Sequence, residues 1–382
     1  MAKYRKKVGK NVFEAAIDRM IPLFEEGHRV VVSFSAGKDS GVCLEICLIA
    51  AALTDRLPLD VVMRDEEIMY PGTFEYAERV AARPEVRFTW LVANQPITNV
   101  FNRKEPFFWV FDDRLPPEQW MRQPPPIAQH TPYLDIEHMT YPGRFPPAPG
   151  KHLYSVIGLR TSESRNRTAG LFASMGYICK PNNLGVRMVR PIYDWGDGDV
   201  WKAIDDNHWD YNAAYDAMHR LGMPRKNLRI APPTLNIYGS KLLGLSAKAW
   251  PQWFDKLCQR LPGVRTAALF GRSAIQPHRR REETWEQCYQ RECIDNAPGW
   301  IADRSILAGR YMLKRHQNHT AKPFPDVEPC PHCSMTNIGS WKQLAHMMYL
   351  GDPLNLKVKF LPTIEPEFFR PGAGKWGGKP TW

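Results

Sequence analysis

The 382-residue sequence has no apolar run reaching the roughly 18 residues that a membrane span needs; its longest stretch, Val42 to Leu53, is broken by Glu45. The opening residues, MAKYRKKVGK, carry charges with no apolar core behind them. That is not the pattern of a secretory leader, so no membrane partner and a cytoplasmic address are expected. No internal repeat is visible. Acidic residues are in the minority, 40 Asp plus Glu against 51 Lys plus Arg, for a net charge of +11. An excess of that sign favours an anionic partner: a nucleotide, DNA or RNA. Eight cysteines in a cytoplasmic chain of this length read as buried thiols, metal ligands or redox groups, not as a disulfide frame. The hydrophobic and charged fractions, 43% and 24%, exclude global disorder. Proline is abundant, at 34 residues, where roughly 5% of a chain is usual.

The length allows two or three domains. Residues 11–27 carry apolar side chains at helical spacing and end at Gly27 as a C-cap. Arg29–Phe34 is a short β-branched run that reads as a buried parallel strand. The small polar segment SAGKDSG follows, then a second helix to about Leu53. Leu59–Met63 predicts a strand, Thr73–Ala82 a helix and Val86–Val92 a strand. Residues 94–150, with Trp109, Trp120 and many prolines, break this rhythm and read as a long, partly irregular insertion. His152–Leu159 restores the strand pattern, a helix follows from about Ser162 to Met175, Arg187–Ile192 is a further strand, and Asp197–Asn207 a helix. Alternation of this kind predicts an α/β fold with a doubly wound, mostly parallel sheet. Beyond about 235 the pattern turns to helices and loops. The expected domains are therefore 1–235, carrying the insertion, and a mostly helical 236–382.

The most informative segment runs from Ser33 to Ser40. Small residues (Ser35, Ala36, Gly37) after a buried strand let backbone amides approach an anion, and the next helix points its N-terminus at the same place. Lys38 adds a positive charge; Ser33, Ser35 and Ser40 add hydroxyls. It is not a Walker A loop, since Val32 stands where the first Gly is needed and Asp39 follows the Lys. Asp39 would repel a terminal phosphate unless a cation intervenes.

SAGKDS resembles the S-G-G-K-D-S loop of the ATP-pyrophosphatase and phosphoadenylylsulfate (PAPS) reductase superfamily, the adenine nucleotide α-hydrolases. Ala36 replaces a Gly, and alanine resists positive φ. Asp65–Thr73 (DEEIMYPGT) falls after the second strand, where that family places acidic residues. Gly158-Leu159-Arg160-Thr161-Ser162-Glu163-Ser164-Arg165-Asn166-Arg167 is similar to its G-x-R-x-x-E-S-x-x-R element. Pro191–Trp201 and Tyr211–Tyr215 are similar to its P-[LI]-x-x-W-x-x-x-D-V-W and Y-N-P-x-Y segments. The resemblance covers residues 29–223, about half of the chain. It implies a Rossmann-like sheet of the HUP type and a site for ATP, or PAPS, built from Ser33, Ser35, Ala36, Gly37, Lys38, Asp39, Ser40, Asp65, Gly158, Arg160, Arg165 and Arg167. Lys38, Asp39, Arg160 and Arg167 are the expected catalytic groups. Read as residues, the three arginines present guanidinium forks suited to phosphate or sulfate. Asp39 and Asp65 could hold Mg²⁺ through phosphate oxygens, or serve as a cap or ion-pair partner.

Two enzymatic readings branch here. PAPS reductases use a cysteine in a C-terminal E-C-G-[LI]-H motif, which this sequence lacks. The other branch, and the one expected, cleaves ATP between its α- and β-phosphates in sulfur or nucleic-acid modification chemistry. A third reading is a nucleotide-dependent regulator that binds DNA or RNA. Relatives of the PAPS-reductase type occur in DNA phosphorothioation systems and regulatory operons, some beside ParB-like partners, so the resemblance implies such a partner here.

In the C-terminal half, Cys330-Pro-His-Cys333 forms a C-x-x-C knuckle, with Cys288 and Cys293 upstream. The four thiols suggest a Zn²⁺ or iron–sulfur site, with a redox pair or buried thiols as alternatives. Cys288 and Cys293 would point about 140° apart on one regular helix, so either the helix ends between them or one is not a ligand. His316, His319 and His332 are substitute ligands. The clusters Arg279–Arg281 and Lys3, Arg5, Lys6, Lys7 and Lys10 could grip a phosphate backbone or simply face solvent.

Overall fold

The computed structural model describes residues 9–132, 139–163, 168–169, 171, 176–225, 228–235, 239–335 and 338–370. The chain divides into two compact units, Met1–Gln95 with Val110–Pro232, and Pro96–Trp109 with Pro233–Trp382. Its strands are β1 (Arg29–Ser33), β2 (Leu59–Arg64), β3 (Val86–Val92), β4 (Pro96–Thr98), β5 (Phe107–Trp109), β6 (Ala128–His130), β7 (Leu153–Val156) and β8 (Val186–Val189). No described helix is long and apolar enough to cross a membrane.

The first unit is a helix-flanked α/β fold of the Rossmann-like kind. Its sheet has the order β6-β3-β2-β1-β7-β8, and every neighbouring pair is parallel. Val30, Val31 and Val32 of β1 are all buried, as a central strand covered on both faces requires. Helix α1 (Val12–Glu25) starts on Asn11, whose side chain accepts the Glu14 N–H, and the chain turns at Gly27, at φ +74°. Helix α2 (Lys38–Leu53) is buried around nearly its whole circumference, as its lack of a polar face dictates. The chain runs from β1 through α2 to β2, then through α3 (Thr73–Ala81) to β3, and returns to the opposite side of β1 as β7. The order in which strands are added thus reverses between β1 and β7, the crevice where open α/β sheets take ligands.

Four elements depart from the sequence pattern. The strand expected at 152–159 stops at Val156, and the next is Val186–Val189, after which residues 190–195 form successive turns. The helix expected from Ser162 begins as a 3₁₀ turn, Thr161–Glu163, and most of its length lies outside the described residues. The 94–150 stretch is divided. Residues 96–109 pack with the second unit, while 110–150 stay with the first and supply β6 as an edge strand, pairing Ala128 with Trp90. Glu67 is buried under this return and accepts the backbone N–H of Phe111 (2.6 Å) and of Met121 (3.0 Å). Helices α4 (Asp197–Asp206) and α5 (Ala214–Arg220) complete the unit.

The second unit holds the antiparallel pair β4–β5 and helices α6 (Gly239–Ala249), α7 (Pro251–Arg260), α8 (Val264–Phe270), α9 (Trp285–Tyr289), α10 (Gly299–Gln317) and α11 (Trp341–Met348). The β4–β5 excursion is bonded into it: Asn99 donates to the Pro262 carbonyl (3.0 Å), Arg260 to that of Trp109 (2.6 Å) and Arg103 to that of Glu292 (2.7 Å). The core gathers Cys293, Ala308, Met312, Cys333, Ile338, Leu344, Ala345 and Met348, all fully buried. Arg304 is buried as well, donating to the carbonyls of Gly351, Asp352 and Pro362. Burial lowers its guanidinium pKa to about 10.

Candidate functional site

The segment from Ser33 to Ser40 turns β1 into α2 and is held closed by its own side chains. The Ser40 hydroxyl donates to the Gly37 carbonyl (3.0 Å) and accepts from the Ser35 N–H (3.2 Å); the Ser35 hydroxyl lies 3.1 Å from it. Ser33 bonds sideways to Ser155 on β7 at 2.9 Å. Ala36 sits in the left-handed region at φ +53° and is fully buried, so the loop keeps a conformation that suits glycine despite carrying a Cβ there.

Two residues of the Tyr211–Tyr215 element brace this loop. Asn212 donates to the Ala36 carbonyl and to the Thr73 hydroxyl, each at 3.0 Å. Its side-chain oxygen accepts the Ala214 N–H at 2.9 Å. The Tyr215 hydroxyl accepts the Lys38 N–H at 2.9 Å. Both residues are buried, and burial pushes the Tyr215 phenol well above its ordinary range. The sequence carried their signal in the Y-N-x-x-Y spacing, but nothing in it said that they would reach back to the loop.

The charged groups form a closed ring of alternating sign. Lys38 Nζ lies 3.3 Å from Asp39. Asp39 accepts Arg160 Nε at 2.6 Å. Arg160 Nη2 lies 3.4 Å from Asp197 Oδ1, and Asp197 Oδ1 lies 3.6 Å from Lys38 Nζ. Lys38 also donates to the Leu228 carbonyl at 3.1 Å, and Glu163 lies 3.7 Å from Arg160. The two cations are almost wholly buried, whereas the Asp39 and Asp197 side chains are 18% and 32% exposed. The ring therefore opens to solvent through its carboxylates. Asp197 escaped the sequence reading, where it figured only as the start of a helix.

Gly158 makes this meeting sterically feasible. A Cβ at 158 would stand 2.6 Å from the backbone carbon of Asp39 and 2.8 Å from the Ser40 nitrogen. The turn after β7 thus rests directly on the first turn of α2, delivering Arg160 to Asp39.

Of the remaining expected site residues, Arg165 and Arg167 lie outside the described residues. Asp65 is the ion-pair partner of Arg122. It is fully buried and accepts from Trp90 Nε1 (2.8 Å), the Glu67 N–H (2.9 Å) and the Arg122 guanidinium. Burial raises its carboxyl pKa, opposed first by Arg122.

The expected four-thiolate grouping is replaced by a different one. Among the described residues, His316, Cys330 and Cys333 have ligand atoms all within 4.8 Å of one another, and Cys288 and Cys293 are not in that group. Of the two alternatives for Cys288 and Cys293, a helix that ends between them or a thiol that is not a ligand, the first does not occur: α9 runs into a π-helical turn, Gln290–Asp295. Wider winding brings residues five apart onto one face, and both thiols are fully buried. The Cys293 thiol points at the Ala345 carbonyl, 3.5 Å away. Burial raises Cys288 to about 11 and Cys293 still further. In the knuckle, the backbone N–H groups of Cys333 and His332 lower the Cys330 thiol to about 7. Of the basic clusters, Lys10 pairs with Asp18 at 2.5 Å on the surface, and Arg280 and Arg281 are exposed.

No family model matches the chain. Solved structures match over about half of the chain. The Candida glabrata FMN adenylyltransferase, solved with FAD and inorganic pyrophosphate, matches at 13% identity and a TM-score of 0.36, over 53% of this chain and 58% of that one. The PAPS reductase of Candida auris, solved with phosphate, matches at 14% identity and a TM-score of 0.27, over 52% of this chain and 89% of that one. The chain thus spans under two thirds of the adenylyltransferase. Among curated proteins it is 25% identical over 292 residues to the Escherichia coli "Uncharacterized protein YbdN", covering 71% of this chain and 70% of that one.

Two substitutions test the loop. Ala36→Gly relieves the positive φ and raises stability by about 0.5–1 kcal/mol, the left-handed cost less the extra entropy of an unfolded glycine, read as a higher thermal midpoint. Gly158→Ala drives a Cβ into the Asp39 backbone and costs about 1–3 kcal/mol. Gly198→Ala, with nothing within 4 Å of the new Cβ, leaves the midpoint unchanged or higher and serves as the control.

Proposed function

We propose that the first unit binds the phosphate tail of ATP, or of a related adenylyl nucleotide, at the ring of Lys38, Asp39, Arg160 and Asp197, and cleaves ATP between its α- and β-phosphates. The observation that carries this reading is the ring itself: a loop lysine and a strand-end arginine, distant in sequence, share two carboxylates at the carboxyl ends of adjacent parallel strands where the strand order reverses. Its likeness to an adenylyltransferase solved with pyrophosphate agrees with the reading but does not carry it.

The chemistry follows from the groups present. Little of a phosphoryl or adenylyl transfer is done by the protein covalently; it positions the groups and neutralises charge. An incoming polyphosphate replaces the carboxylates as partner of Lys38 and Arg160, and their burial strengthens both contacts. Asp39 and Asp197, released from those cations and facing solvent, are an oxygen donor set suited to Mg²⁺, which would neutralise the phosphate oxygens that Asp39 would otherwise repel. The activated product is an adenylate of an acceptor oxygen, in sulfur or nucleic-acid modification chemistry.

A sulfonucleotide reductase would need a thiolate at this place. The cysteine next to the ring, Cys43, is one turn along α2 and completely buried, and burial raises its pKa well above the ordinary thiol range. This favours ATP cleavage over reduction. Calorimetric titration with Mg²⁺ and ATP is expected to show binding by the native chain and at least about tenfold weaker binding by Lys38→Met and Arg160→Met, since charged hydrogen bonds to phosphate contribute about 1.5–3 kcal/mol each. Circular dichroism verifies that the variants are folded. Pyrophosphate release, assayed with and without DNA or RNA, separates the readings: binding without release supports a nucleotide-dependent regulator, and unchanged affinity in both variants removes the site.

A further inference from the structure

We propose that the second unit carries a mononuclear Zn²⁺ site in which His316 Nδ1, Cys330 Sγ and Cys333 Sγ supply three ligands and water the fourth. The proposal is independent of the nucleotide reading, because every residue in it belongs to the C-terminal unit.

The three donors come from two elements that meet at a fixed geometry. His316 is in the last turn of α10; Cys330 and Cys333 flank the Pro-His turn before α11. His316 Nδ1 lies 3.2 Å from Cys333 Sγ, and all three ligand atoms fall within 4.8 Å of one another. A tetrahedral Zn²⁺ with bonds of about 2.05 Å to nitrogen and 2.3 Å to sulfur needs edges of about 3.6 Å and 3.8 Å. The 3.2 Å spacing falls a few tenths of an ångström short of the nitrogen–sulfur edge and no pair exceeds 4.8 Å, so small side-chain shifts complete the site.

The imidazole is preset for ligation. Its Nε2 lies 3.0 Å from the Lys322 carbonyl and 3.2 Å from that of Pro323. Carbonyl oxygens only accept, so Nε2 carries the proton and Nδ1 presents its lone pair to the thiols. A ring N–H held by backbone carbonyls while the other nitrogen faces sulfur is the outer-shell arrangement of metal-bound histidines.

The knuckle is equally prepared. The Cys330 N–H donates to the Gly339 carbonyl (2.9 Å), Ser334 N–H to that of Cys330 (3.2 Å), and Met335 and Ile338 exchange two backbone bonds at 3.0 and 2.7 Å. Arg315, beside the histidine, donates to the Cys333 carbonyl at 2.9 Å. A Cβ on Gly339 would stand 2.8 Å from Ser334 Cβ, so the return strand must carry glycine to close this turn. His316, Cys330 and Cys333 are 3%, 7% and 0% exposed. Two thiols and an imidazole converging inside an apolar core are a soft N/S donor set, which selects Zn²⁺ over Mg²⁺.

Elemental analysis of the full chain, purified under reducing conditions without added metal, is expected to give one zinc per chain. His316→Ala, Cys330→Ser and Cys333→Ser each lose it, while Cys288→Ser and Cys293→Ser keep it. A measurement that needs no variant guards against misfolding. Native protein stripped of metal and titrated with Co²⁺ should show thiolate-to-cobalt charge transfer and the intense visible bands of tetrahedral cobalt, saturating at one equivalent. The proposal is overturned if the native chain neither holds zinc nor takes up Co²⁺, if zinc persists in Cys330→Ser or Cys333→Ser, or if the metal-free chain purifies two hydrogens lighter, as a Cys330–Cys333 disulfide.

Discussion

The close contact between the turn after β7 and the first turn of α2 is the constraint on which the first unit depends. It exists because residue 158 has no side chain: any Cβ there would overlap the backbone of Asp39. The contact sets Arg160 against Asp39 at 2.6 Å and closes a ring in which two buried cations alternate with two partly exposed carboxylates. Cations that deep in a protein are tolerated only when paired. Here the pairing carboxylates of Asp39 and Asp197 reach solvent, and the proposed function has an incoming anion take their place.

Around that contact the fold invests heavily in the loop. Asn212 and Tyr215 arrive from the far end of the unit to fix the Ala36 carbonyl and the Lys38 amide. With those bonds in place, Ala36 is held at a positive φ that alanine resists. Strain held by such surrounding bonds is characteristic of functional turns. The same economy recurs in the second unit, where a π-helical turn rotates Cys293 into the core while a short hairpin-like turn presents Cys330 and Cys333 to a histidine from α10.

Much of this was legible in the residues. Val30–Val32 announced a buried strand, the small residues of 35–37 a tight turn from strand to helix, and the alternation through Val92 a parallel sheet. The meeting of Lys38 with Arg160 followed from placing both after strands of one sheet. What stayed hidden depended on tertiary partners. Ala128–His130 has no alternating pattern of its own and becomes a strand because the exposed edge of β3 accepts it. Residues 96–109 read as part of an insertion because nothing local reveals that Asn99 and Arg103 bond to Pro262 and Glu292. Asp197 looked like a helix start because a first-turn carboxylate is common there, and its second role appears only when α4 faces Lys38. The cysteine grouping was misjudged because spacing along the chain does not show that His316, at the end of α10, faces the Cys330–Cys333 knuckle in place of Cys288 and Cys293, and a π turn cannot be read from the four residues between those two cysteines.

The central claim is spatial, and a crystal structure with a non-hydrolysable ATP analogue and Mg²⁺ tests it most directly. The account predicts phosphate oxygens within hydrogen-bond reach of Lys38 Nζ and the Arg160 guanidinium, with Asp39 and Asp197 turned from those cations. A nucleotide bound elsewhere, with the four-membered ring still closed on itself, would contradict it.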